Sequence, residues 1–212
     1  MSYDDPALLH LLTSLLWKMS YSPRVTVDIS SQVLCVTAGS IKWTDLPHRL
    51  MQIGLSFSSF VPDNRECIYL LRQLGEGAEG KCFLGCDALG NVCAVKLYRD
   101  GVEGVQNILG IWNDVFGLKA FLLSSALVMP YVFSPSWAAA EKRERWSAVD
   151  AAMDKLLAKG YYHRDMKWSH VCLLHRNGQD EVVFIDTDIG PLENCSSDER
   201  KQEMLAKLPL ED

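Results

Sequence analysis

A chain of 212 residues is long enough for one domain with a full core, or for a compact domain carrying an extension. Its 48% hydrophobic and 23% charged residues are those of a globular protein, and a net charge of −6 argues against roles that need a basic surface, on nucleic acid or on an anionic membrane. In chain order, residues 5–19 predict a helix: Asp5 is the cap, Pro6 the first position, and Leu8, Leu9, Leu12, Leu15, Leu16 and Met19 recur at helical spacing. Its apolar part follows Asp4 and Asp5 rather than basic residues and is too short to span a bilayer, so neither a leader nor a membrane span is expected. Ser22-Pro23 ends the helix, and two alternating runs, 24–29 and 32–37, predict short strands. Thr44-Asp45 reads as the cap of a further helix ending near Gly54. Residues 1–64 carry no recognisable chemistry and are expected to be a structural extension.

The pattern changes at residue 68. A strand at 68–74 runs into Gly75-Glu76-Gly77-Ala78-Glu79-Gly80-Lys81-Cys82, and a second strand follows at 83–87. Glycine lets a backbone approach phosphate oxygens closely enough for its N–H groups to donate. A dinucleotide-binding loop would open a helix, whereas strand-like sequence flanks these glycines on both sides. A turn at 89–91 leads to a third strand, 92–98, with Lys96 among apolar residues. Such a lysine needs a partner for its ammonium, which a polyphosphate supplies; the alternative is an edge-strand lysine reaching solvent. Residues 127–132 form another apolar strand, 138–158 a helix with Trp146, Val149, Met153, Leu156 and Leu157 as its stripe, and Gly160 its terminator. Then come His163-Arg164-Asp165, a strand at 171–174, a turn at Asn177-Gly178, a strand at 182–185 delivering Asp186, and a last helix at 197–208. His170, Cys172 and His175 do not make a zinc site, because strand alternation sends the third to the opposite face. The seven cysteines, Cys35, Cys67, Cys82, Cys86, Cys93, Cys172 and Cys195, read as reduced thiols of an intracellular protein, cytoplasmic or nuclear.

Taken together, the glycine hairpin, the strand lysine, the His-Arg-Asp loop and the strand ending in Asp186 resemble the protein kinase superfamily over residues 68–190. The resemblance implies an α+β, two-lobed fold: an N-terminal extension (1–64), a small antiparallel-sheet lobe (65–132) and a minimal helical lobe (133–212), with no APE-like segment after residue 190. In outline it is similar to lipopolysaccharide Kdo kinases and to the kinase modules of Crinkler-type effectors. It implies that Gly75, Gly77, Gly80, Cys82, Lys96, Met129, Pro130 and Val132 surround ATP, Met129 as gatekeeper, Pro130 C=O and Val132 N–H reading the adenine edge. Asp165 would orient the acceptor hydroxyl, Lys167 would touch the transferring phosphoryl group, and Asp186 with His170 would hold Mg²⁺ or Mn²⁺. Three positions depart from the pattern: His170 stands where the family has asparagine, Glu79 where it usually has an aromatic residue, and no glutamate stands at the expected distance from Lys96; of Glu103 and Asp114 the second fits better, either as the lysine's partner or as a plain surface carboxylate. Asp188 either shares the metal or forms a turn, and Arg164 is expected to bond local carbonyls or Asp188. The implied activity is ATP-dependent transfer to a hydroxyl, foremost protein Ser/Thr; a nucleotide-binding pseudokinase and a carbohydrate kinase are the alternatives.

Overall fold

The protein is described from a computed structural model, which covers residues 32–47, 50, 67–99, 105–176, 179–185, 189–192 and 195–211. The expected helix at 5–19 and strand at 24–29, residues 48–49 and 51–54 of the helix expected to end near Gly54, the Asn177-Gly178 turn, Glu103, Asp186 and Asp188 lie outside them.

The fold is α+β. Seven strands form one antiparallel sheet in the order β2-β1-β3-β4-β5-β7-β6: β1 (Gln32–Val36), β2 (Ile41–Asp45), β3 (Ile68–Glu76), β4 (Gly80–Cys86), β5 (Val92–Tyr98), β6 (Phe121–Leu123) and β7 (Ala126–Pro130). Thr44 and Asp45 do not cap a helix: they belong to β2, paired with Val33 and Gln32. Ile, Trp and Thr in Ile41–Asp45 fit a pleated surface, and pairing with β1 outweighs the capping preference of two residues. Between β4 and β5 the chain reverses through a turn in which Gly90 has φ 85°. The Asp87 carboxylate, buried there, accepts from the Leu89 and Asn91 backbone N–H groups at 2.8 and 2.9 Å.

After β5 the chain makes a short helix, α1 (Val105–Gly110), which continues as a π-helical turn, Ile111–Val115. Helix α2 (Ala139–Ala158) follows β7; its residues Val149, Ala152, Met153, Leu156 and Leu157 fall at helical spacing and are all buried. It ends at Gly160, whose φ of 79° is open to glycine without strain. Two two-stranded ribbons complete the fold: β9 (Val171–Arg176) with β10 (Gln179–Phe184), and β8 (Tyr161–His163) with β11 (Ile189–Pro191). Helix α3 (Ser197–Ala206) is capped reciprocally, Glu199 N–H donating to Ser196 Oγ and Ser196 N–H to the Glu199 carboxylate.

Two cores result. One sheet face holds Ile68, Leu70, Cys93, Val95, Phe121 and Val128; the larger cluster joins the π turn, α2, β9, β10 and α3 through Trp112, Met153, Leu156, Leu174, Phe184, Met204 and Leu208. Met129 and Val132 pack against the larger cluster, so the sheet meets it at the end of β7. The expectation of seven reduced thiols fails at one pair. Cys35 is joined to Cys67, their Cα atoms 6.3 Å apart; β1 and β3 pair with Cys35 opposite Tyr69, which makes Cys67 the diagonal neighbour of Cys35. Cys82, Cys86, Cys93, Cys172 and Cys195 are free thiols. No helix among the described residues is long and apolar enough to cross a membrane.

Candidate functional site

The sheet supplies the first group of residues. Directly opposed residues of an antiparallel pair share a face, and the register sets Cys82 opposite Lys96, Leu84 opposite Ala94, and Ala94 opposite Met129. Cys82, Ala94, Lys96 and Met129 thus lie on one face of β4, β5 and β7, while Phe83, Val95, Leu97 and Val128 turn into the sheet core behind. The Lys96 side chain is only 17% exposed. Its ammonium lies 2.5 Å from a Glu79 carboxylate oxygen and 4.9 Å from the centre of the Tyr98 ring. Among the described residues, a carboxylate that meets Lys96 comes from the glycine hairpin, and Asp114 is not its ion-pair partner. Asp114 stands exposed on the π turn, on the Tyr161 side of Gly110. Burial pushes the Cys82 thiol up, against the pull of the Lys96 charge.

At the tip of the hairpin, Gly77 N–H donates to the Gly80 carbonyl at 2.9 Å and Arg99 N–H to the Glu79 carbonyl at 3.0 Å. Glu76 is bound by Arg99 and lies 3.4 Å from Lys81; the Arg99 hydrogen bond first, then the Lys81 charge, holds its carboxyl below the usual range. The three glycines differ in why they are glycine. A Cβ on Gly80 would sit 1.9 Å from the Leu97 carbonyl oxygen, so β4 and β5 can approach only without it, whereas Cβ atoms on Gly75 or Gly77 would meet nothing within 4 Å.

The second group lies between β8 and β9. Asp165 is exposed, and Lys167 Nζ donates to its carboxylate at 2.8 Å, which holds that carboxyl below the usual range. Trp168–His170 form a 3₁₀ turn. His170 Nδ1 lies 2.9 Å from the Asp165 carbonyl, and since a carbonyl only accepts, Nδ1 carries the proton; in the neutral ring the lone pair is then on Nε2. His163, fully buried, donates in the same way from Nε2 to the Ile185 carbonyl at 3.0 Å, and Ile185 N–H donates to the His170 carbonyl. Both histidines thus fix the residue that precedes Asp186. The Arg164 guanidinium stands over the Tyr162 ring, 5.8 Å from its centre.

The C-terminal helix braces this loop from below. His163 N–H donates to Met204 Sδ at 3.3 Å, Lys207 Nζ to the Arg164 carbonyl at 2.6 Å, and Trp168 Nε1–H to the Pro209 carbonyl at 2.7 Å. The two groups are tied at the end of β7, where Phe133 and Leu173 exchange backbone hydrogen bonds and Ser134 Oγ donates to the Ser169 carbonyl. A family model described as "Family of unknown function (DUF5898)" matches residues 73–174. No curated protein matches the chain. The matched span starts within β3 and ends within β9, so it takes in the glycine hairpin, Lys96, Met129, Asp165 and His170 and stops short of α3.

Chemically, the sheet face offers a largely desolvated ammonium beneath a glycine hairpin, and the loop offers a carboxylate with its own lysine and an imidazole with a defined tautomer. Pro130 and Val132 stand at the exit of β7, where Pro130 ends the strand opposite Cys93. Among the described residues no three His, Cys, Asp or Glu side chains gather as a metal cluster. Three features went unread in the sequence: Glu79 as the partner of Lys96, Ala94 on the lysine's face, and the brace from Met204, Lys207 and Pro209. A register drawn for the β4–β5 hairpin would have revealed the first two.

Proposed function

We propose that this chain is an ATP-dependent phosphotransferase of the protein-kinase-like superfamily, with a sheet lobe at 65–132, a compact helical lobe at 133–212, and a protein serine or threonine hydroxyl as its acceptor. The observation that carries the reading is Lys96, a lysine mid-strand with its side chain 17% exposed, on the same sheet face as Cys82, Ala94 and Met129 and within reach of the tip of the glycine hairpin. A cation desolvated to that degree needs an anion. In this reading Lys96 holds the α- and β-phosphates, the backbone of Gly75, Gly77 and Gly80 covers them, and Pro130 C=O with Val132 N–H takes the adenine edge beside Met129 and Cys82. Asp165 orients the acceptor hydroxyl and takes its proton, and Lys167, already bonded to Asp165, steadies the charge on the transferring group. Because little covalent chemistry is asked of the protein in phosphoryl transfer, positioning of these groups is the main contribution to rate.

His170 fits a metal-holding role, since its Nδ1 proton is committed to the Asp165 carbonyl and its lone pair is on Nε2. With Asp186 it would hold Mg²⁺ or Mn²⁺, and the ion would neutralise phosphate charge. The intracellular setting, cytoplasmic or nuclear, belongs to the proposal; five free thiols favour it and the Cys35–Cys67 disulfide counts against it. A second reading, a nucleotide-binding module without transfer, is favoured by Glu79, whose carboxylate stands at Lys96. The deciding experiment is transfer of labelled γ-phosphate from ATP to generic protein acceptors, wild type beside Asp165→Asn, with nucleotide binding measured on the same samples. Binding with no transfer by the wild type selects the second reading, and no binding of any adenine nucleotide refutes both.

A further inference from the structure

The geometry points to Glu79 as an internal competitor for the anion seat at Lys96, so that a phosphate-bearing ligand binds by exchanging with a carboxylate of the protein itself. This deepens the nucleotide reading and rests on Lys96 being the phosphate-holding group.

The argument starts from charge. The hairpin carries two carboxylates, Glu76 and Glu79. Glu76 is already bound by Arg99 and lies beside Lys81, on the face of the strands opposite to Lys96. Glu79 reaches inward instead, 2.5 Å from the Lys96 ammonium, although its own side chain is 54% exposed. A carboxylate at that distance neutralises the lysine as a phosphate oxygen would, and two anions on one ammonium repel each other. The backbone that carries Glu79 is held independently, by Arg99 N–H on the Glu79 carbonyl and by the Gly77–Gly80 hydrogen bond. Exchange therefore proceeds by rotation of an exposed side chain about its own torsions, with the hairpin staying in place. Because the lysine is mostly desolvated, it keeps an anion in either state, which removes the cost of leaving it bare.

The consequence is a selectivity rule. A ligand is penalised by Glu79 in proportion to the negative charge it brings to Lys96, and a nucleoside without phosphates, which leaves the ion pair intact, feels no penalty. An ion pair exposed on one side contributes up to about 1 kcal/mol, or about fivefold in affinity.

Titration calorimetry tests this on the full chain with three probes: inorganic tripolyphosphate, ATP with Mg²⁺, and adenosine. Glu79→Gln removes the charge and keeps the shape, and Lys96→Met removes the seat. Expected is about fivefold tighter binding of tripolyphosphate and of ATP to Glu79→Gln, the gain shrinking at high salt, with adenosine unchanged and tripolyphosphate lost in Lys96→Met. Unchanged or weaker tripolyphosphate binding in Glu79→Gln overturns the proposal. So does an equal gain for adenosine, which would mark a general effect on the loop, and so does absence of tripolyphosphate binding to every variant. If tripolyphosphate responds as expected while ATP and adenosine do not bind, the exchange at Lys96 stands and the adenine nucleotide reading fails.

Discussion

Met204→Ala tests whether the C-terminal helix holds the Asp165 loop in place. Met204 is fully buried in the larger core, and its sulfur accepts the backbone N–H of His163, two residues before Asp165. Truncation of a fully buried methionine to alanine costs about 2–5 kcal/mol, depending on how far the site collapses. Here the neighbours are fixed on two sides by Lys207 on the Arg164 carbonyl and Trp168 on the Pro209 carbonyl, which limits collapse. The substitution also leaves the buried His163 N–H without its acceptor, a loss of about 1 kcal/mol for a weak sulfur acceptor. The expected destabilisation is about 3–6 kcal/mol, which at an m-value of about 2 kcal/mol per molar lowers the urea midpoint by about 1.5–3 M. Equilibrium unfolding followed by tryptophan fluorescence measures it, since Trp168 lies in the same contact region. In partly denaturant-free conditions the His163 amide should exchange faster while amides of β4 and β5 keep their protection. A midpoint shift below about 0.5 M would refute the reasoning, because it would mean that α3 does not pack beneath the loop.

Other outcomes follow from single contacts. Gly80→Ala forces a Cβ against the Leu97 carbonyl and should destabilise by about 1–3 kcal/mol, while Gly77→Ala, with open space around it, should leave thermal stability unchanged and alter only ligand affinity; equal melting temperatures for the two would count against the close β4–β5 approach. Asp165→Asn should lower phosphotransfer by about 10²–10⁴-fold while nucleotide affinity stays within about twofold, and a comparable loss of affinity would show the role to be misassigned. His170→Asn keeps a donor for the Asp165 carbonyl and exchanges an imidazole nitrogen for an amide oxygen, so the fold should hold and the ratio of magnesium- to manganese-supported activity should rise; an unchanged ratio removes His170 from the metal.

What the sequence could reveal was decided by the range of the interaction. Strand β5 falls on residues 92–98 as read, and α2 begins one residue later than read, because alternation and a 3.6-residue stripe are written into consecutive residues. Strand β2 was misread because Thr44-Asp45 has the local look of a helix cap, and only its partner β1 makes it a strand. Strand β6 has three residues, too few to show a period, and enters the sheet by pairing with β7 through a turn at Ser124 with φ 54°. The disulfide partner of Cys35 depends on the β1–β3 register, which no feature of the intervening chain announces.

The same division runs through the site. Gly75, Lys96, Asp165 and His170 stand out as candidates by type and spacing. The Lys96 contact and the brace from Met204, Lys207 and Pro209 do not, because they cross strands or bridge distant segments, whereas Asp165 is held by Lys167, two residues on. Glu79 and Lys96 are 17 residues apart, and their meeting follows from one fact, that Cys82 pairs with Lys96 and Gly80 with Tyr98. Once that register is set, the hairpin tip must lie beyond Tyr98, beside Arg99, where the Arg99 N–H donates to the Glu79 carbonyl, and a side chain the length of glutamate reaches back to the lysine. An aspartate at 79, one methylene shorter, would reach less far toward the ammonium. The contact is therefore a property of this residue on this turn, and under the proposed exchange it would make the hairpin an acidic cover whose affinity for phosphate is set by how readily one side chain swings away.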